Sequence, residues 1–177
     1  MKLNLFSIPV FIGNIDANKI KMEPAKAEKT WPSETLSTHN SGKKCSPDSI
    51  KYILKTIVKL LDEEYKFKYQ IELKDIWENK YKDSFQDTHI HRDSEFSFII
   101  YKKLDKSKTV FNNPAIRLIE CFHMEKYLPL CFEPECRSNQ IIVFPSFLEH
   151  WVKLHKNSIT IAGNINFFPY ENTLLNV

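Results

Sequence analysis

The chain has 177 residues, of which 42% are hydrophobic and 27% charged, with 3 Trp, 7 Tyr and 13 Phe; this is enough apolar material for one sizeable core, and whole-chain disorder is excluded. No apolar run reaches the ~18 residues of a membrane span, and Met1 to Gly13 is a poor export signal because Asn4 and Pro9 interrupt it. The net charge of +3 comes from 22 Lys and 3 Arg against 22 acids, too mild a balance to announce a nucleic-acid partner. A cytoplasmic protein is therefore expected, with Cys45, Cys121, Cys131 and Cys136 as free thiols.

Near-alternation of Leu3, Leu5, Ile8, Val10 and Ile12 predicts a first strand. A polar, Lys-rich loop follows over about 14–44, broken by Pro24, Pro32 and Gly42, with a short strand near Trp31. Ser46-Pro47-Asp48 then supplies a cap, a first-turn proline and an early acid. Ile50, Ile53, Leu54, Ile57, Val58, Leu60 and Leu61 recur at helical spacing, which predicts a helix over about 47–65. Strands are predicted over Lys66 to Lys80, Ser94 to Lys103, Ala115 to Phe122, Gln140 to Phe144, His150 to Leu154 and Ser158 to Phe168. A helix followed by many short strands fits a single domain over 1–177, mainly β with a packed helix, as a β-sandwich or jelly roll.

Three histidines stand out. His89 and His91 lie two apart at the front of a predicted strand, and His150 just precedes another. Residues i and i+2 of a strand share a face, roughly 6.6 Å apart along it, so these two can grip one metal that His150 closes from a paired strand. Three ligands on one side leave the opposite positions open, the arrangement a redox metal needs to bind a co-substrate and dioxygen together. Ordinary hydrogen-bonded histidines would explain the spacing equally well.

The surrounding segments are more specific. Phe6-Ser-Ile-Pro9, then Trp77-Glu-Asn-Lys-Tyr81, Thr88-His-Ile-His-Arg-Asp-Ser through Tyr101, Phe144-Pro-Ser-Phe-Leu-Glu-His150 and Ser158 through Phe167 occur in the order seen in one family. In this order they resemble the iron(II)/2-oxoglutarate oxygenases of the prolyl-hydroxylase-like superfamily, in particular its short bacterial and phage members. The resemblance implies a double-stranded β-helix (a cupin-like jelly roll) holding one Fe(II) at the barrel mouth. It also implies 2-oxoglutarate as co-substrate, decarboxylated to succinate as dioxygen is spent on hydroxylating a substrate that the sequence leaves unnamed. Members often pair through sheet edges, so a homodimer is among the expectations.

Carried over by position, His89, His91 and His150 match the ligands. His91-Arg92-Asp93 also spells the superfamily's commoner His-x-Asp, so His91, Asp93 and His150 form a rival set. Asn79 and Tyr81 match the strand that often contacts 2-oxoglutarate, and Tyr101, Ser158 and Thr160 are expected to add hydrogen-bond donors. The pattern departs at Ser158, where relatives carry an Arg that clamps the far carboxylate; Lys103, on the same face as Tyr101 if that strand is unbroken, is the expected substitute. Two other readings stay open. One is a degenerate jelly roll that keeps the metal ligands but has lost 2-oxoglutarate turnover. The other is a zinc module built from Cys121, His123, Cys131 and Cys136.

Overall fold

The computed structural model describes residues 7–29, 35–41, 45–104 and 109–170. Its elements in chain order are β1 (Phe11–Asn14), β2 (Glu28–Lys29), β3 (Leu36–Ser37), α1 (Pro47–Glu64), β4 (Tyr69–Tyr81), β5 (Ser84–His89) and β6 (Phe96–Lys103). Then come β7 (Thr109–Asn112), α2 (Ile116–Cys121), β8 (Cys131–Phe132), β9 (Gln140–Pro145), β10 (His150–His155) and β11 (Ser158–Pro169). Among the described residues the strands form a seven-stranded sheet, β1-β9-β6-β11-β4-β3-β2, and a four-stranded sheet, β5-β10-β7-β8. All the pairings within these two sheets are antiparallel, and the whole is a jelly roll backed by α1.

Period-2 alternation explains how the large sheet is buried on both faces. Phe96, Phe98 and Ile100 of β6, Ile141 and Val143 of β9, and Ile161 and Ile165 of β11 join one cluster with Ile53, Ile57, Leu60 and Leu61 of α1. The intervening Ile99, Tyr101, Ile142, Phe144 and Ala162 form a second cluster with Trp77 and, from the small sheet, Phe111. The helix forms because Ser46 caps it, its Oγ accepting the Ser49 N–H at 3.4 Å, and because Pro47 opens its first turn. Each fully buried apolar side chain on its inner face contributes about 1.5–3 kcal/mol relative to exposure.

Several local expectations are corrected. The apolar run Ala115 to Phe122 is not a strand, because Asn113 Oδ1 accepts the Ala115 N–H at 2.9 Å and turns the chain into α2, which buries only Ile119. The first strand is confined to Phe11–Asn14, and there Ile12 faces solvent; residues 1–6 and Trp31 lie outside the described residues. His89 ends β5, and His91 lies beyond it in the connection to β6, so the pair does not open a strand. No helix among the described residues is long and apolar enough to cross a membrane.

Candidate metal centre

The three motif histidines converge although strand parity is not what unites them. His89, the last residue of β5, pairs directly with His150, the first of β10. His91 is brought alongside because its N–H donates to the carbonyl of Ser146 at 3.0 Å, in the turn leading to β10. That turn is anchored by a chain of hydroxyls: buried Ser146 Oγ lies 2.9 Å from half-buried Ser94 Oγ and 2.8 Å from buried Ser97 Oγ, and Ser97 donates to Asn164 Oδ1 at 2.8 Å.

One ligand atom from each of His89, His91 and His150 can be chosen so that all lie within 4.8 Å of one another, and this is the metal-competent group among the described residues. The rings of His89 and His150 are 4.3 Å apart and His91 stacks on His150 at 5.2 Å. Carbonyl oxygens are acceptors only, so His89 Nδ1 must donate to Asp87 (2.7 Å) and His150 Nδ1 to Leu148 (3.0 Å), which leaves Nε2 of each neutral ring as the ligand nitrogen. Burial, and then the nearness of the other rings, pushes His91 down to about 4 and His150 well below the usual imidazole range. Burial also lowers His89. All three are therefore neutral near pH 7, the form a metal requires.

Asp93 is exposed, with a left-handed φ of 62°, and is absent from that group; its carbonyl accepts from Lys74 Nζ. The thiols are not gathered either, since Cys121, His123 and Cys131 are exposed and Cys136 is buried beside Tyr101.

Behind the histidines lies an enclosed cavity of about 20 Å³, room for a single water. Asn79, Tyr81, Tyr101 and Thr160 line it, as do Gln86, Thr109 and His155, which the sequence did not single out. Tyr101 donates to Thr109 Oγ1 at 2.9 Å and Tyr81 to Gln86 Oε1 at 3.1 Å, and burial holds both phenols protonated. Ser158 is fully buried one layer behind, its Oγ 2.9 Å from Nδ1 of His155.

Lys103 does not reach this cavity. Thr160 pairs with Tyr101 but Ile159 with Lys103, so Lys102 is the extra residue of a β-bulge and parity flips after Tyr101. Lys103 is exposed, and Lys102 forms an ion pair with Glu78 at 3.6 Å. A bulge also explains His155: β10 takes three residues from Val152 to His155 where β5 takes two, from Gln86 to Ser84. The extra residue returns His155 to the inward face despite its odd spacing from His150.

Outside the mouth, an open depression of about 780 Å³ shares His91 with the metal centre and is lined by Pro9, Tyr65, Ile90, Arg92, Asp93 and Phe147 among others.

The donor set fits a divalent transition metal, which three neutral imidazoles bind with positions left open. For a keto-acid ligand the hydroxyls and amides of the cavity are suitable hydrogen-bonding groups, although anything larger than water requires the lining to part.

No protein-family model matches the sequence, and no curated protein does. Among solved structures, the chain is similar to an oxidoreductase of the 2OG-Fe(II) oxygenase family from Burkholderia pseudomallei, with TM-score 0.51 and 13% identity over 89% of this chain and 68% of that one. Weaker likenesses are to HygX from Streptomyces hygroscopicus with nickel, 2-oxoglutarate and hygromycin B bound (TM-score 0.49, 11% identity, 75% and 68% of the two chains). A viral collagen prolyl hydroxylase from Paramecium Bursaria Chlorella virus-1 follows (TM-score 0.41, 14% identity, 70% of each chain). At such identities the likeness is one of fold, and the chain has the jelly-roll fold of the Burkholderia 2OG-Fe(II) oxygenase.

Proposed function

We propose that the protein is an Fe(II)- and 2-oxoglutarate-dependent oxygenase that hydroxylates a substrate docked in the depression beside His91. The observation that carries this reading is the convergence of three neutral imidazoles at the barrel mouth, two of them with Nδ1 committed to backbone carbonyls. His89, His91 and His150 would hold the metal. Tyr101, Thr160, Asn79 and Tyr81 would supply hydrogen bonds to the co-substrate in the cavity behind it. Iron with 2-oxoglutarate and dioxygen supplies oxidising power that no protein side chain has. The chain's own part would be to fix the ligand tautomers, exclude bulk water from the cavity between two sheets and set His91 beside the depression.

Among the described residues the lining contains no Lys, Arg, Asp or Glu, and that favours a second reading, a metal-binding jelly roll without keto-acid turnover. One experiment separates the two. Anaerobic Fe(II) protein is titrated with 2-oxoglutarate and then given oxygen. An absorption band from the metal-bound keto acid, followed by slow succinate release without added substrate, is the expected result. Iron binding without either signal establishes the second reading.

A further inference from the structure

Between β7 and β8 the chain makes an excursion that buries almost none of its own side chains. Its ends are pinned, since Asn113 donates its N–H to the Leu130 carbonyl at 2.8 Å and its Nδ2 to the Pro129 carbonyl at 2.9 Å. Within it, α2 runs on into turns closed by the Met124 N–H on the Ile119 carbonyl (2.9 Å) and the Leu128 N–H on the Met124 carbonyl (3.0 Å). A lobe bonded in this way holds its shape through its own main chain. Yet all ten residues from Glu120 to Pro129 are exposed, and Ile119 is the one buried residue of α2.

The lobe is apolar where it meets water. Leu118, Phe122 and Tyr127, with Phe132 of β8, are 62% to 76% exposed, the four most exposed large hydrophobic side chains among the described residues. Leu118 and Phe122 stand four apart, on one side of α2 and its cap. At roughly 200 Å² per aromatic side chain, the three aromatics alone leave about 400 Å² in water. Single exposed apolar side chains need no explanation, whereas a group of this size in one excursion marks an interaction surface.

Charge and area select the partner. Arg117 and Lys126 balance Glu120 and Glu125, so residues 115–132 are neutral in a chain of net charge +3. A neutral lobe draws in neither nucleic acid, nor an anionic membrane, nor an acidic protein. A second copy is apolar where this one is apolar and brings no net charge to repel it, and about a two-fold axis the acids of one lobe can face the bases of the other. Each partner of a standard interface buries roughly 800 Å², of which the three aromatics supply about half before Leu118, Met124 and Leu128 add their exposed surface. We infer that this lobe is the interface of a two-fold homodimer, anchored by Phe122 and Tyr127. The β8 edge is two residues long, too short to join two copies by main-chain pairing, so side chains carry the contact. The inference is independent of the oxygenase reading.

Sedimentation velocity of the 177-residue chain over about 1–100 μM tests it, and a reversible monomer–dimer equilibrium is the expected result. Phe122→Asp and Tyr127→Asp, both at exposed positions, should each raise the dimer Kd at least about 30-fold, the effect of losing one hot-spot aromatic, with circular dichroism and iron stoichiometry unchanged. Lys55→Glu, exposed on α1, should leave the Kd unchanged. The thiols give a readout that needs no variant, because Cys121 adjoins Phe122 and is exposed, as is Cys131, while Cys45 and Cys136 are buried. Alkylation of Cys121 by iodoacetamide should slow several-fold as protein concentration rises through the dimer Kd. A wild type that stays monomeric to about 100 μM overturns the inference and leaves the face to a different protein. A dimer whose Kd neither aspartate variant changes, or in which Cys121 is labelled as fast as in the monomer, overturns it as well.

Discussion

Ser146→Ala tests whether the hydroxyl chain beneath the metal centre is a structural brace. Ser97 donates its one hydroxyl proton to Asn164, so Ser146 must donate to Ser97 and Ser94 to Ser146. Alanine deletes two hydrogen bonds at a fully buried position, each worth about 0.5–1.5 kcal/mol. Ser97 then loses only an incoming donor, and half-buried Ser94 can turn to water, so the destabilisation should fall near 2 kcal/mol, within about 1–3. For a chain of this length that is a fall in Tm of roughly 4–8 °C. The bond from His91 N–H to the Ser146 carbonyl is made by the main chain and survives the substitution, so iron affinity should change by less than about three-fold (under 1 kcal/mol). Urea unfolding of the metal-free protein, with iron titration alongside, reads both quantities. A loss below about 0.5 kcal/mol would show that the chain of hydroxyls is not formed. A large loss of iron affinity at unchanged stability would mean that the hydroxyl serves the metal rather than the turn.

His89→Ala and His150→Ala should each weaken Fe(II) by more than the roughly 10–100-fold typical of losing an outer partner, while Asp93→Ala leaves it unchanged; the reverse pattern for His89 and Asp93 would restore the carboxylate ligand set. Because burial lowers His91 to about 4 in the folded state, the unfolded chain takes up its proton first. The metal-free protein should therefore keep its full stability above about pH 6.5 and lose it as pH falls toward 4; a His91→Gln variant with the same slope of urea midpoint against pH would refute this. Gly163→Ala should destabilise by about 1–3 kcal/mol or more through overpacking, since the new Cβ would meet the Asp75 carbonyl oxygen at 2.5 Å and Phe98 Cζ at 2.6 Å; unchanged denaturant stability would show that the two strands can part there.

What the sequence made legible followed from regular periods. Ser46, Pro47 and the helical spacing of Ile53, Ile57 and Leu61 announced α1, and alternation marked β6, β9, β10 and β11. The motif order picked out His89, His91 and His150, which the fold gathers. What stayed hidden depends on irregularity. A bulge adds one residue without changing composition, so Lys103 was assigned to the cavity face and His155 was passed over, each off by one residue of parity. Ala115 to Phe122 reads as a strand from its apolar content, and only the Asn113 side chain bonding back to the main chain makes it helical. His91 reaches its neighbours through a tertiary bond to Ser146, which no local pattern encodes.

The outermost position of β5 has a mechanical consequence. Among the described residues, the order β5-β10-β7-β8 gives this strand a strand neighbour on one side only, and its pairing with β10 is interrupted by two register shifts. Edge strands fray more readily than central ones, and unpaired N–H groups on an edge invite pairing with foreign strands. His89 stands at the end of that edge, directly across from His150. An ion shared by the two rings rivets the margin of the barrel to its interior, so loading the metal should slow amide exchange along Ser84–His89 more than anywhere else in the small sheet. The metal centre would then also guard an edge strand against misassembly.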